Sequence, residues 1–233
     1  MRNYVIINGV NSLSINGLAI KELPPITKPL MRASSETIDG RDGDIITTLG
    51  YSSYDKTMEI GLFGSYDINE IITYFNQQGT ITFSEEPDKY YYFQILNQID
   101  YERLIKFRTA TVTLHCQPFK YKLNETEITL EAGDNTVVNE GNIYAKPRLE
   151  ISGSGTIEVS LDGNQIFSID LSESNDIVID TSILEAFDPN DGSLMNRQVI
   201  GNYETFKINS GSNTIGLSGT ITSASISNYT RWL

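Results

Sequence analysis

The chain has 233 residues, of which 30 are acidic and 17 basic, for a formal charge of −13, with one cysteine and one histidine. That charge argues against bulk phosphate binding of the nucleic-acid kind, and a lone cysteine excludes both an intrachain disulfide and a thiolate zinc cluster. The length admits one large β domain or two ordinary ones, and a core of that size needs no staples.

The opening "MRNYVIINGVNSLSING" reads as two short strands around an Asn-containing turn. Its apolar run is too short for a signal peptide and nothing later approaches a membrane span, so synthesis in a cytoplasm without a secretory address is expected. Pro24, Pro25 and Pro29 then mark a connection that cannot be a central strand.

"TIDGRDGDIITTLGY" (Thr37–Tyr51) invites a metal or phosphate reading. Counted as an EF-hand from Asp39, it puts Arg41 and Gly43 where oxygen ligands belong; counted from Asp42, it puts Ile46 and Thr47 at positions five and six. Neither register fits. Asp-Gly and Gly-Asp pairs do suit a tight turn, so two strands joined by that turn are expected.

A helix is predicted over Asp67–Gln78, with Asp67 as N-cap, Glu70 completing a capping box, and Gly79 as the stop. Ile68, Ile71, Ile72 and Phe75 share one face and are expected in the core. Strands follow in "TITFS", "KYYYFQILNQIDYE" and "KFRTATVTLHCQPFKYKL". In "KYYYFQ", Tyr90 and Tyr92 fall on one face and Tyr91 and Phe93 on the other, so one pair should fill core while the other suits a protein interface or a sugar-stacking platform. In "RTATVTLHC", Ala110, Val112, Leu114 and Cys116 alternate with the threonines and His115. Neighbours on a strand point oppositely, which separates Cys116 from His115 and removes a thiol–imidazole dyad.

From about Glu125 helical periodicity stops and short strands recur between Gly, Asn, Asp and Ser, the pattern of a jelly-roll-like β-sandwich. "SLDGNQIF" is a hairpin signal, and "GSGT" (Gly153–Thr156) reads as a second hairpin turn. "EAFDPNDGSL" offers Asp188 and Asn190 as calcium ligands, but Gly192 and Val199 occupy the later ligand positions, so no metal site is expected. The expected fold is mainly β: an α+β N-terminal domain with one helix over 1–125, a linker with the first C-terminal strands over 126–145, and a β-sandwich over 146–233. No catalytic constellation, cofactor or metal set emerges, so an enzyme is not expected.

Four stretches in order carry a family resemblance: "IDGRDGDI", "VTLHCQPFKYKL", "NEGNIYAKPRLEISGSGTIEVSLDGNQIFSIDL" and "VIDTSILEAFDPNDGSLMNRQVIGNYETFKINSGSNTIGLSG" with the closing "YTRWL". Through them the chain resembles the distal tail (Dit) proteins of long, non-contractile-tailed phages that infect Gram-positive bacteria. The resemblance implies a baseplate hub at the virion's tail tip, assembled in the host cytoplasm. It implies a homo-hexameric ring built by the N-terminal domain around a DNA channel, between the major tail tube protein and a tail-associated tip protein. It also implies a galectin-like C-terminal sandwich that carries receptor-binding proteins, with no membrane partner. Arg41, Asp42, Tyr90 and Tyr92 are the candidate ring-interface residues, although an ion pair of Arg41 within its own chain is the simpler expectation. The alternative is a carbohydrate-binding surface protein of jelly-roll type.

Overall fold

The computed structural model describes residues 2–233. The chain divides into a first unit that ends at Leu123 and a second that runs from Asn124 to Trp232.

The first unit contains strands β1 (Val5–Ile7), β2 (Val10–Asn11), β3 (Leu18–Glu22), β4 (Met31–Thr37), β5 (Asp44–Tyr51) and β6 (Tyr54–Leu62). Helix α1 (Ile68–Phe75), β7 (Gln78–Phe83), β8 (Lys89–Gln94), helix α2 (Tyr101–Phe107) and β9 (Thr109–Lys122) complete it. Seven of these strands form an antiparallel sheet in the order β2-β1-β7-β8-β9-β6-β3. Ala110, Val112, Leu114 and Cys116 of β9 are buried on one face, as their alternation predicts, together with Val5, Ile7 and Ile60.

Helix α1 begins where the sequence places it. The Asp67 carboxylate accepts the amide of Asn69 at 2.8 Å, capping the first turn. Ile71 and Phe75 are buried, and so is Tyr74, which lies off the apolar stripe and whose hydroxyl donates to the carbonyls of Val5 (3.1 Å) and Val10 (3.2 Å). The helix ends at Asn76, short of Gly79. Gly79 instead lies inside β7, opposite Phe93, where a Cβ would come within 2.2 Å of the Asn8 side-chain oxygen. A φ of +135 together with the Asn8 side chain against it, not a helix stop, favours glycine there.

Helix α2 takes in the end of one stretch expected to be extended, the start of the next, and the three residues Arg103, Leu104 and Ile105 between them. Its start is fixed by the Asp100 carboxylate, which accepts the Arg103 amide at 2.8 Å, and only Leu104 is buried. A seven-residue helix with one core contact leaves no apolar stripe to read.

The second unit comprises β10 (Ile128–Leu130), β11 (Gly133–Asn139), β12 (Arg148–Leu161), β13 (Asn164–Leu171), β14 (Asp176–Asp180), β15 (Glu185–Phe187), β16 (Val199–Gly201) and β17 (Gly211–Ser227). The Asp162–Gly163 pair turns β12 into β13 as expected. "GSGT" is not a hairpin turn: β12 runs straight through it and bulges. The first part of β12 pairs with β14 and the last with β13, while β17 follows it along both. The sheet thereby folds over a single core that includes Leu149 and Ile151 from before the bulge and Val159 and Leu161 from after it. Opposite the bulge, Gly219 has φ +116, and a Cβ there would sit 2.5 Å from the Thr156 carbonyl oxygen. One bent strand pair therefore serves both layers of the sandwich.

Candidate functional site

Strands β4 and β5 form a two-stranded sheet outside the larger sheets. The predicted turn joins them, with Arg41 donating its amide to the Ile38 carbonyl at 3.1 Å. The Asp44 carboxylate receives the hydroxyls of Ser35 (2.8 Å) and Thr37 (2.9 Å), which hold its pKa below the ordinary value and pin the first rung. Arg41 and Asp42 stand exposed at the tip, and among the described residues Arg41 makes no ion pair. The simpler expectation of intrachain pairing is not met. Both faces of the hairpin are open, leaving Ile46 69% and Leu49 59% exposed. An isolated two-stranded hairpin is marginal in water, and apolar side chains so presented gain stability from a covering surface.

Tyr90 and Tyr92 lie on the outer face of β8, and Tyr91 and Phe93 are the pair that fills core. Tyr121 of β9, directly opposite Tyr90, completes a triad that the sequence reading did not include. Its rings are stacked or edge-on, with centroids 5.6 Å apart for Tyr90–Tyr121, 5.4 Å for Tyr90–Tyr92 and 5.3 Å for Tyr92–Tyr121. Tyr92 remains 44% exposed, and such an amphipathic aromatic face is suited to protein contact.

Inside the first unit, Lys56 is buried and donates to the Pro25 carbonyl at 3.0 Å, its ammonium 5.0 Å and 5.2 Å from the Tyr91 and Tyr54 ring centroids. This contact pins the proline strap from which the hairpin departs. Burial lowers the Lys56 pKa, and burial raises that of Tyr54 to about 12. The buried Lys120 is matched by the Glu86 carboxylate at 2.6 and 2.9 Å.

Cys116 is buried and its thiol is pushed up to about 12 by burial, while His115, on the other face, meets Asp55 at 2.8 Å. The thiol thus stays protonated near neutrality, and the geometry separates it from the imidazole. Asp188 spends one carboxylate oxygen on the amide (2.7 Å) and side chain (3.0 Å) of Asn190, so the calcium-like loop is tied by its own hydrogen bonds. Among the described residues, no group of three or more His, Cys, Asp or Glu is placed to hold a metal, and no helix is long and apolar enough to cross a membrane.

No protein-family model matches the chain, and no curated protein matches it. Among solved structures, the Dit protein (gp 19.1) of phage SPP1, described as a paradigm of hub adsorption apparatus in Gram-positive infecting phages, aligns over 97% of this chain and 98% of its own at TM-score 0.72 and 17% identity. The chain shares the fold of SPP1 Dit. The resemblance carried by the four sequence stretches is thus matched by architecture along nearly the whole chain. A chain of the phage P2 baseplate in its activated conformation with Ca aligns over 97% of both chains at TM-score 0.49 and 12% identity.

Proposed function

We propose that the chain is a non-enzymatic structural hub of a phage tail tip. The observation that carries this reading is the fold shared with SPP1 Dit from end to end, at 97% and 98% coverage. In this reading the first unit builds a homo-hexameric ring around a channel through which DNA passes without specific binding. The ring joins the tail tube to a tail-associated tip protein. The second unit is a galectin-like sandwich facing outward, where receptor-binding proteins attach, and assembly takes place in the host cytoplasm before incorporation in the virion.

Two local features support self-association. The β4–β5 hairpin presents Ile46 and Leu49 to solvent with no apolar cover, and Arg41 and Asp42 at its tip offer one charge of each sign to a neighbouring copy. The outer tyrosine face of β8 and β9 provides a second apolar contact. The net charge of −13 suits a channel wall that lets DNA slide without sticking. Negative-stain images of the purified chain test the ring: six-fold particles with a central hole are expected, and solid or single-lobed particles would overturn it.

A further inference from the structure

The first unit contains a cleft of about 510 Å³ between the end of α1, the chain leaving β8 and the first turn of α2. Ile72 and Phe75 of α1, with Ile95 and Ile99 of the connection, give it apolar walls. Tyr101 flanks the opening, half-buried, and burial raises its phenol pKa so that it stays a neutral hydroxyl. Five carboxamides stand around these walls: Asn76, Gln77, Gln78, Gln94 and Asn97. No lining side chain carries a charge.

One of the five is fixed by the fold. The Gln77 amide donates to the Tyr74 carbonyl at 3.1 Å, and its oxygen accepts from the Asn8 side chain at 3.1 Å. Gln78 and Gln94 are directly opposite in the β7–β8 ladder, so their side chains stand together on one face. The side chains of Asn76, Gln78, Gln94 and Asn97 make no hydrogen bond to the rest of the described chain. All four are exposed, so their donors and acceptors are open to a ligand seated against the apolar walls.

We propose that this cleft binds a neutral saccharide of one or two rings. A carboxamide offers two donors and an acceptor, which complements hydroxyls that both donate and accept. The apolar walls and the Tyr101 ring suit the C–H faces of a pyranose. With no Lys or Arg in the lining and −13 on the chain, a phosphorylated or acidic sugar is disfavoured; with no carboxylate in the lining, so is a cation. The volume lies within the range of small-ligand sites. The proposal does not depend on the ring, because every residue it uses lies in one unit of one chain.

Ligand-observed saturation-transfer NMR on the full chain tests it, since that readout works for single and assembled chains alike. The probes are glucose, N-acetylglucosamine, maltose and chitobiose, each taken to tens of millimolar. A saturable signal is expected from at least one of them. Gln94→Leu and Asn97→Ala should each weaken it about five- to tenfold, the loss of one or two hydrogen bonds. Both side chains are exposed, so neither change should alter the melting temperature, and Asn76→Ala serves if one of them does. Absence of a saturable signal from all four sugars overturns the proposal. So does a signal that all three variants leave unchanged, or saturable binding of N-acetylalanine amide where none of the sugars binds.

Discussion

Replacing Ile46 and Leu49 together by serine separates the assembly role proposed for the hairpin from any role in folding. The two side chains are 69% and 59% exposed, so the isolated chain gains little from either. Full burial of such a side chain contributes about 1.5–3 kcal/mol. Scaled by those exposed fractions, the pair contributes about 2–4 kcal/mol to each contact that covers the hairpin. At 1.4 kcal/mol per tenfold, the association constant at that contact should fall about 20- to 500-fold. Sedimentation velocity across a dilution series reads the loss as a shift of the assembly midpoint to higher concentration. A urea titration of the dissociated chain should move by less than about 0.5 kcal/mol. An unchanged assembly midpoint would rule out a contact through the hairpin, as would a large drop in the stability of the single chain.

Tyr74→Phe removes the donor to the Val5 and Val10 carbonyls while keeping the buried ring, and should cost about 1–2 kcal/mol in urea denaturation; a change under 0.3 kcal/mol would show that the hydroxyl is dispensable. Gly219→Ala forces a side chain at φ +116 to within 2.5 Å of the Thr156 carbonyl oxygen, so it should lower the melting temperature of the second unit by several degrees, as differential scanning calorimetry would show. Alkali gives a pH test. The Cys116 pKa is raised from 9 to about 12, so its contribution is fully present below pH 9 and is lost as pH rises toward 12, at about 1.4 kcal/mol per unit. Tyr54, raised from 10 to about 12, adds a loss of the same sign from pH 10 upward, whereas the lowered Lys56 opposes both. Cys116→Ala should therefore flatten the fall in urea midpoint between pH 9 and pH 10, and an equally steep fall in the variant would contradict the assignment.

Local chemistry was legible where it decided the outcome alone. Asp67 caps a helix because its carboxylate reaches an amide two residues on, and the alternation in "RTATVTLHC" survives because a strand gives each side chain no choice of face. The Asp162–Gly163 hairpin and the turn around Arg41 belong to the same class. What was missed depends on residues distant in sequence. "GSGT" looks like a turn, yet β17 runs alongside it and holds the chain extended, so a would-be hairpin became a bend. Gly79 looked like a helix stop until Asn8 was placed against it. Helix α2 was hidden because it buries only Leu104, although Asp100, with Glu102 in the first turn and Lys106 in the last, gave a faint signal of its ends. Tyr121 joins the tyrosine face only through the β8–β9 register, and the carboxamide cleft exists only after three separate segments meet.

The proposed ring of six copies fixes the mass of the particle in solution. Multi-angle light scattering on the purified chain should give six times its 26.0 kDa, about 156 kDa, or twice that for two rings back to back. A mass of one chain that persists as the concentration is raised would rule out the ring.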